Sequence, residues 1–378
     1  MRILHIANWY PNQWNPNETP FIKEHFDACA NHVDQQLWHV QVRNEGALFR
    51  ICKGDYSANE HFLILDTRIR LWRLKEILTF LLLVSVRIKL GVRSWDMVNV
   101  HIAYPLLRFP RFFRYLFGHR VIITEHWTAY HGNFYLAEGS KAKRRIQNIF
   151  SHGMPVVTVS RDLMDDIIRF SGNNNFSQYI VPNVVNPTLF HPNDKPQSNN
   201  KQVFLMVATW ANHKRPLLAM AAFAEILSQF PDAKLRIVGC GPEWVKMQEF
   251  VKEKDLENNI FLLGPKSKPA IAEEMRQAEG FIHPTQYETF SVVCAEAHCC
   301  GLPVMASKVV ATLGVVDTTN GILVDNTHEA WVEALCVFIR QQGSWDYEQI
   351  SRNAIARFSP EQVGKELVKI YQGLVLNE

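Results

Sequence analysis

The chain of 378 residues is short of several things, and each shortage removes a class of protein. Its seven cysteines are odd in number and include no C-x-x-C pair. That argues against a disulfide framework or a zinc site and for reduced thiols in a cytosolic protein. The longest apolar run, ILTFLLLVSV at Ile77–Val86, is about half of the ~20 residues needed to cross a bilayer. The opening MRILHIA reads as a strand with no cleavage site after it, so no signal peptide is expected. No G-x-G-x-x-G comes after that strand, which disfavours a dinucleotide oxidoreductase. No Asp-x-Asp pair stands where a metal would be useful, and Asp165-Asp166 reads as a helix surface, so no metal site is expected. There is no short-period repeat and no nucleic-acid recognition module, so nucleic acid is not an expected partner.

The residues that are present fit a globular protein of two domains. Hydrophobic residues make up 47% and charged residues 20%, enough for a core in each half. The net charge of +3 hides an asymmetry. Residues 1–190 carry 22 Lys/Arg against 15 Asp/Glu, and the remainder carries 18 against 22. The excess lies between Arg43 and Arg120, with 14 basic and 6 acidic side chains. Such a basic half suggests an anionic neighbour, with plain surface scatter as the alternative.

Strand-like runs alternate with helical patterns. RILHIA, QQLWHVQV, FLILDT, MVNVHIA, RVIITEH and PVVTVS come first; QVFLMVAT, AKLRIVGCG, IFLLG, GFIHPT, PVMAS and GILVDN come second. Amphipathic segments such as Pro216–Gln229 and Pro242–Lys254 separate them. Apolar strands spaced by helices predict parallel sheets covered on both faces, one doubly wound domain per half. The seam is expected in the Pro- and Asn-rich stretch Val181–Gln202. Ligands of such sheets bind beyond the strands' carboxyl ends, and two facing domains make a cleft. Polar strand-end residues are therefore candidates: Asn8, His101, His126, Thr209, Gly239–Gly241 and His283–Glu288.

The segment FIHPTQYETFSVVCAEAHCCGLPVMAS, Phe281–Ser307, concentrates the signal. A buried strand leads into the loop QYET. Ser291 is placed to cap a helix through VVCAEAHCC, with Gly301 as its stop. Backbone amides near Thr289–Val293 and the helix dipole would attract an anion. Glu288 precedes the helix and Glu296 lies inside it; carboxylates there can each accept bonds from two vicinal hydroxyls. A phosphate between two polyols, as in a nucleotide sugar, suits that arrangement. In the plain alternative Glu288 only complements the dipole and Glu296 faces solvent.

Pro284-Thr285, Glu288, Phe290, Glu296-Ala297 and Gly301-Leu302-Pro303-Val304 resemble the E-x7-E region of the family 4 retaining glycosyltransferases. IVGCGPEW, NIFLLGPKSKPAIAEEMRQAEGFI, IVPNVVNPTLFHP, NGILVDN and FSPEQVGKELVKIYQGL extend the likeness, most fully over Lys201–Leu374. The resemblance implies an α/β GT-B fold: two doubly wound Rossmann-like domains facing across a cleft. Residues 1–190 would form the acceptor-side domain and 191–357 the donor domain, with 358–378 a C-terminal helix crossing back to the first. It implies a metal-independent, retaining hexosyltransferase. The donor would be a UDP- or GDP-sugar, used as substrate with no cofactor, and the acceptor a glycan or lipid-linked molecule of cell-envelope or surface polysaccharide synthesis. Glu296 would bind the ribose hydroxyls. Glu288, with the amides of Thr289, Phe290 and Ser291, would lie by the donor sugar. Lys214 would neutralise the leaving diphosphate. Gly239 and Gly241 would let the backbone approach the nucleotide beside Leu263 of the Phe-Leu-Gly element. His126 would be the catalytic imidazole by the transferred sugar, and His101 its acceptor-side companion. Glu125, its neighbour on the strand, is expected to face away.

Three departures stand out. NWYPNQWNPNETPF has no glycine where many members carry a Gly-Gly loop. Thr209 takes the place of the family's arginine, leaving Arg215 as its substitute. The interdomain Asn-Gly is Asn183-Val184, so that turn must avoid a positive φ. Arginines interleaved with aromatics in YPLLRFPRFFRYLFGHR and LWRLKEILTFLLLVSVRIKLGVR suit peripheral contact with an anionic membrane at its cytoplasmic face, against a plain core-and-surface alternative. The competing functions are a nucleotide-sugar epimerase of the same architecture and a noncatalytic nucleotide-sugar-binding relative.

Overall fold

The computed structural model describes residues 1–16, 18–46, 48–91, 95–193 and 202–376. Position 17 of the glycine-free loop, residues 92–94 of the basic stretch and the later part of the expected linker, 194–201, lie outside the described residues. The chain divides into two compact units. One comprises Met1–Val184 together with the C-terminal helix Pro360–Leu376; the other is Val185–Ser359.

Among the described residues the first unit is built on eight strands. In chain order they are β1 (Arg2–Ala7), β2 (Asp34–Arg43), β3 (Phe49–Ser57), β4 (Glu60–Thr67), β5 (Met97–His101), β6 (Val121–Glu125), β7 (Val156–Thr158) and β8 (Gln178–Ile180). Their order in the sheet is β3-β4-β2-β1-β5-β6-β7-β8. All pairs are parallel except the β3–β4 hairpin. β1, β5, β6 and β7 are buried almost throughout, as strands covered on both faces must be. The last helix completes this core: Val363, Leu367, Val368 and Tyr371 pack with Ile3, Cys29 and Met97. Gly364 lies so close to the helix Pro20–Cys29 that a Cβ there would meet the Ala28 carbonyl at 2.0 Å. The Tyr371 hydroxyl accepts from Asn99 Nδ2 at 2.8 Å. Val184 does not take a positive φ, so the Asn183-Val184 turn is made without glycine's freedom.

Among its described residues the second unit has six strands: β9 (Val203–Val207), β10 (Lys234–Val238), β11 (Ile260–Gly264), β12 (Gly280–His283), β13 (Val304–Ser307) and β14 (Gly321–Val324). Their order, β11-β10-β9-β12-β13-β14, is all parallel. Counted from its own first strand this is 3-2-1-4-5-6, the doubly wound arrangement whose order reverses between β9 and β12. Its core joins Phe204, Phe223, Trp331 and Phe338 around helices Pro216–Ile226 and His328–Arg340. In the first unit the order reverses between β1 and β5.

Candidate functional site

The reversal point between β9 and β12 is where an open parallel sheet leaves a crevice at its carboxyl end. The segments after these two strands are tied together. Gln286 N–H donates to the His213 carbonyl at 2.7 Å. The His213 and Tyr287 rings stack at 4.7 Å with 16° between planes. Asn326 and Ser307, just past β14 and at the end of β13, brace the same loop. Asn326 Nδ2 donates to the Thr285 carbonyl (2.8 Å), Thr285 N–H donates to Ser307 Oγ (2.8 Å), and Ser307 Oγ donates to Asn326 Oδ1 (2.7 Å).

This scaffold brings Lys214 and Glu288 into an ion pair, Nζ to Oε1. The same carboxylate oxygen lies 3.1 Å from His283 Nε2, which lies 3.2 Å from Ser291 Oγ. Burial alone would push the Glu288 carboxyl up. The His283 hydrogen bond and the Lys214 charge outweigh it and hold it at about 2. Burial lowers His283, with Glu288 opposing. The site is thus an ionised carboxylate gripped by one cation and one buried imidazole.

The helix Val292–Cys299 begins beside this group. Ser291 is its N-cap residue, but the expected side-chain cap is absent. Its φ of 64° is left-handed and its hydroxyl turns to His283 instead. Glu296 is buried inside the helix, so the solvated-face alternative does not apply. Thr289 is half-buried. Phe290 is buried with its ring edge-on to Phe358 at 5.6 Å, which leaves its backbone for any ligand role. Thr209 is exposed after β9. Arg215 donates from Nη1 to the Asn326 carbonyl at 3.0 Å, so its guanidinium is committed to the brace. Leu263 is half-buried near the end of edge strand β11. Gly239 and Gly241 have a packing reason of their own: a Cβ would lie 1.9 Å from the Ala208 carbonyl oxygen at the first and 2.4 Å from the Trp210 carbonyl oxygen at the second.

In the first unit the strand-end histidines gather with one that sequence reasoning missed. His126, just after β6, lies 4.6 Å from the Phe21 ring, 5.1 Å from His25 and 6.3 Å from His101, centroid to centroid. Both its ring nitrogens are buried without a well-formed partner among the described residues, although the Asn183 side chain acts on the ring. His25 comes from the helix Pro20–Cys29 and bonds through Nε2 to the Pro182 carbonyl at 2.9 Å, which fixes the proton on that nitrogen. His101 is fully buried and bonded through Nε2 to His5 Nδ1 at 2.9 Å, so it belongs to the interior and offers no open face to an acceptor. Burial pushes His5 down to about 3 and His25 to about 4, and drives His101 and His126 well below the ordinary imidazole range. Glu125 accepts from Ala103 N–H and the Tyr130 hydroxyl, both at 2.7 Å. Burial raises it to about 7 against those bonds.

His283 was among the strand-end candidates without a role, although it is the hinge of the second-unit group. His25 carries no comparable signal, because it sits within a helix pattern.

Residues 189–357 match the family of glycosyl transferases group 1. That stretch takes in nearly all of the second unit, including Lys214, His283, Glu288 and Glu296. Curated relatives carry compatible names. N-acetyl-alpha-D-glucosaminyl L-malate synthase of Bacillus anthracis is 25% identical over 225 residues, 57% of each chain. D-inositol 3-phosphate glycosyltransferase of Mycobacteroides abscessus is 24% identical over 67% of this chain and 60% of its own length. The chain thus spans less than two thirds of these relatives. Solved structures match across nearly its whole length. Sucrose-phosphate synthase from Thermosynechococcus elongatus has a TM-score of 0.74 at 16% identity, covering all of both chains. The lipopolysaccharide outer core galactosyltransferase WaaB gives 0.74 at 17%, over 99% of this chain and all of the other. HepE of Anabaena, in complex with UDP, gives 0.73 at 15%, with the same coverage. The fold is therefore the α/β GT-B fold of these glycosyltransferases, with parallel Rossmann-like sheets.

Proposed function

We propose that the protein is a family 4 type retaining glycosyltransferase that moves a hexosyl unit from a nucleoside diphosphate sugar to a hydroxyl of a glycan or lipid-linked acceptor, without a metal ion. The observation that carries this reading is the Lys214–Glu288–His283 group at the β9/β12 reversal point, beside the start of the helix that holds Glu296. A diphosphate entering there would take over Lys214, whose charge stabilises the leaving group in the way a metal ion otherwise does. Glu288, ionised and fixed by His283, would accept hydroxyl protons of the donor sugar. Buried Glu296 would do the same for the ribose.

Neutral His126 is suited to accept a hydrogen bond from the donor sugar, since its charged form is strongly disfavoured by burial and by His25. The relatives lend support. Several are named for transfer to small polyols, lipids or glycerol phosphate, as in phosphatidylinositol N-acetylglucosaminyltransferase and poly(glycerol-phosphate) alpha-glucosyltransferase. HepE is described with UDP-glucose. Names specifying α-linked sugar agree with retention from an α-linked donor.

The test is a thermal-shift screen of UDP-, GDP- and ADP-sugars against wild type and Glu296→Ala. One donor class should raise the wild-type Tm with concentration and lose that effect in the variant. Equal shifts in both proteins, or none with any donor, overturn the reading. Formation of an epimerised nucleotide sugar without acceptor would transfer it to the epimerase class.

A further inference from the structure

The helix Trp72–Leu90 carries apolar side chains on two opposite sides. One side, with Glu76, Thr79, Leu82, Leu83 and Val86, packs into the first unit. A surface helix ordinarily turns polar residues to the side away from its core. Here the outer side is open: Leu74, Ile77, Leu81 and Ile88 are all exposed, Ile88 by 75%. At about 100° per residue these four fall within about 60° of helix arc, opposite the packed side. The neighbouring helix Pro110–Phe117 extends the surface. Its Phe112 (61% exposed) meets the Phe80 ring at 6.0 Å, its Tyr115 is 85% exposed, and its Leu116 carbonyl accepts from Arg87 Nε at 2.6 Å.

The charge around this surface has one sign. Arg70, Arg73, Lys89 and Arg111 are exposed on or beside the two helices. Among the described residues from Thr67 to Arg120 the only carboxylates are Glu76 and Asp96. Glu76 is buried against Arg108 at 3.2 Å, and Asp96 accepts from the Arg2 backbone N–H at 2.7 Å. No helix among the described residues is long and apolar enough to cross a membrane.

We infer that this two-helix face is a docking surface for an anionic lipid bilayer, with the Leu74–Ile88 stripe and Phe112 entering the acyl boundary and the flanking cations meeting lipid phosphates. Apolar side chains ringed by cations are the composition that lies in a membrane interface. A second copy of the chain fits worse. A two-fold contact places the same patch against itself, so cations would face cations without carboxylates between them. The inference stands on the first unit alone and does not depend on the sugar chemistry of the second.

The test is flotation of the full chain with vesicles of phosphatidylcholine, and of phosphatidylcholine with about one third phosphatidylglycerol. The protein should float with the anionic vesicles and stay behind with the neutral ones, and added salt should release it. Arg73→Glu/Lys89→Glu should lower the bound-to-free ratio by roughly tenfold or more. Leu81→Ser/Ile88→Ser should lower it with the charges intact. Both variants alter exposed positions; if the serine pair does not fold by circular dichroism, the charge reversal carries the test. Absence of flotation with anionic vesicles overturns the inference, as does equal flotation with both kinds. So does a wild-type dimer in sedimentation that the serine pair disperses, since the face would then belong to a second copy.

Discussion

The two units share a sheet plan and differ in the groups held at the carboxyl ends of their strands. In the first, the polar centre is a group of buried, uncharged imidazoles: His5, His25, His101 and His126. In the second it is a charged pair, Lys214 with Glu288, part of whose surface remains open. A neutral centre can approach a sugar hydroxyl without competing for water, whereas a charged centre is what a diphosphate requires. One scaffold can therefore serve opposite electrostatic tasks through the side chains placed just beyond β6 and β12.

The largest expected consequence of this difference is acid sensitivity weighted toward the first unit, where five buried imidazoles, His5, His25, His39, His101 and His126, are depressed against His283 and His298 in the second. An imidazole whose folded pKa lies below its unfolded value stabilises the protein above about pH 6.5. That contribution is lost as pH falls toward the folded value. For His5 and His25 the window runs from about 6.5 down to about 3 and 4. Each contributes on the order of several kcal/mol. Glu288, held at about 2, keeps its charge through the same window. Hydrogen exchange monitored from pH 7 to pH 4.5 should show peptides of β1, β5 and β6 losing protection before those of β9 and β12. The reverse order would break the comparison.

Next in size is the charged pair. Lys214→Met should reduce turnover by about 10²–10³-fold, the usual cost of removing one preorganised stabiliser of a leaving charge. It should also raise the Glu288 pKa, readable by NMR, because only His283 then opposes burial. Unchanged kcat with a normal Michaelis dependence would place the diphosphate elsewhere.

The smallest effect concerns Glu125. Its raised pKa means the folded state binds a proton that the unfolded state releases, so stability should fall as pH rises through about 4.5 to 7. Glu125→Gln should remove that slope and gain about 1–3 kcal/mol at pH 8 relative to pH 5.5. Urea melts at the two pH values would read it. An unaltered slope would show that its bonds to Ala103 and Tyr130 already offset the burial.

Strands buried on both faces were legible because continuous apolar runs have few other uses. β3 and β8 were not. β3 is an edge strand, FRICKGDYS, with exposed polar positions and Gly54 near its centre, and β8 has only three residues. At the second-unit site Lys214 and Glu288 were found through resemblance, but their contact was not, since it spans 74 positions. Asn326 and Ser307 escaped for the same reason, although their places at the ends of β14 and β13 were within reach of the strand-end rule. Ser291 was misread because the capping rule assumes an extended N-cap backbone, and its left-handed φ sends the hydroxyl to His283.

The helix Pro360–Leu376 sets an order of assembly. It follows Val185–Ser359 in the chain, yet it seals the region begun by Ile3 and the helix Pro20–Cys29. As the nascent chain emerges from the ribosome, Val185–Ser359 has all its own strands and helices before the earlier half has its final layer. The portion made first thus waits for the second unit to be made, and the greasy groove awaiting Val363, Leu367 and Tyr371 stays open until their helix is in place.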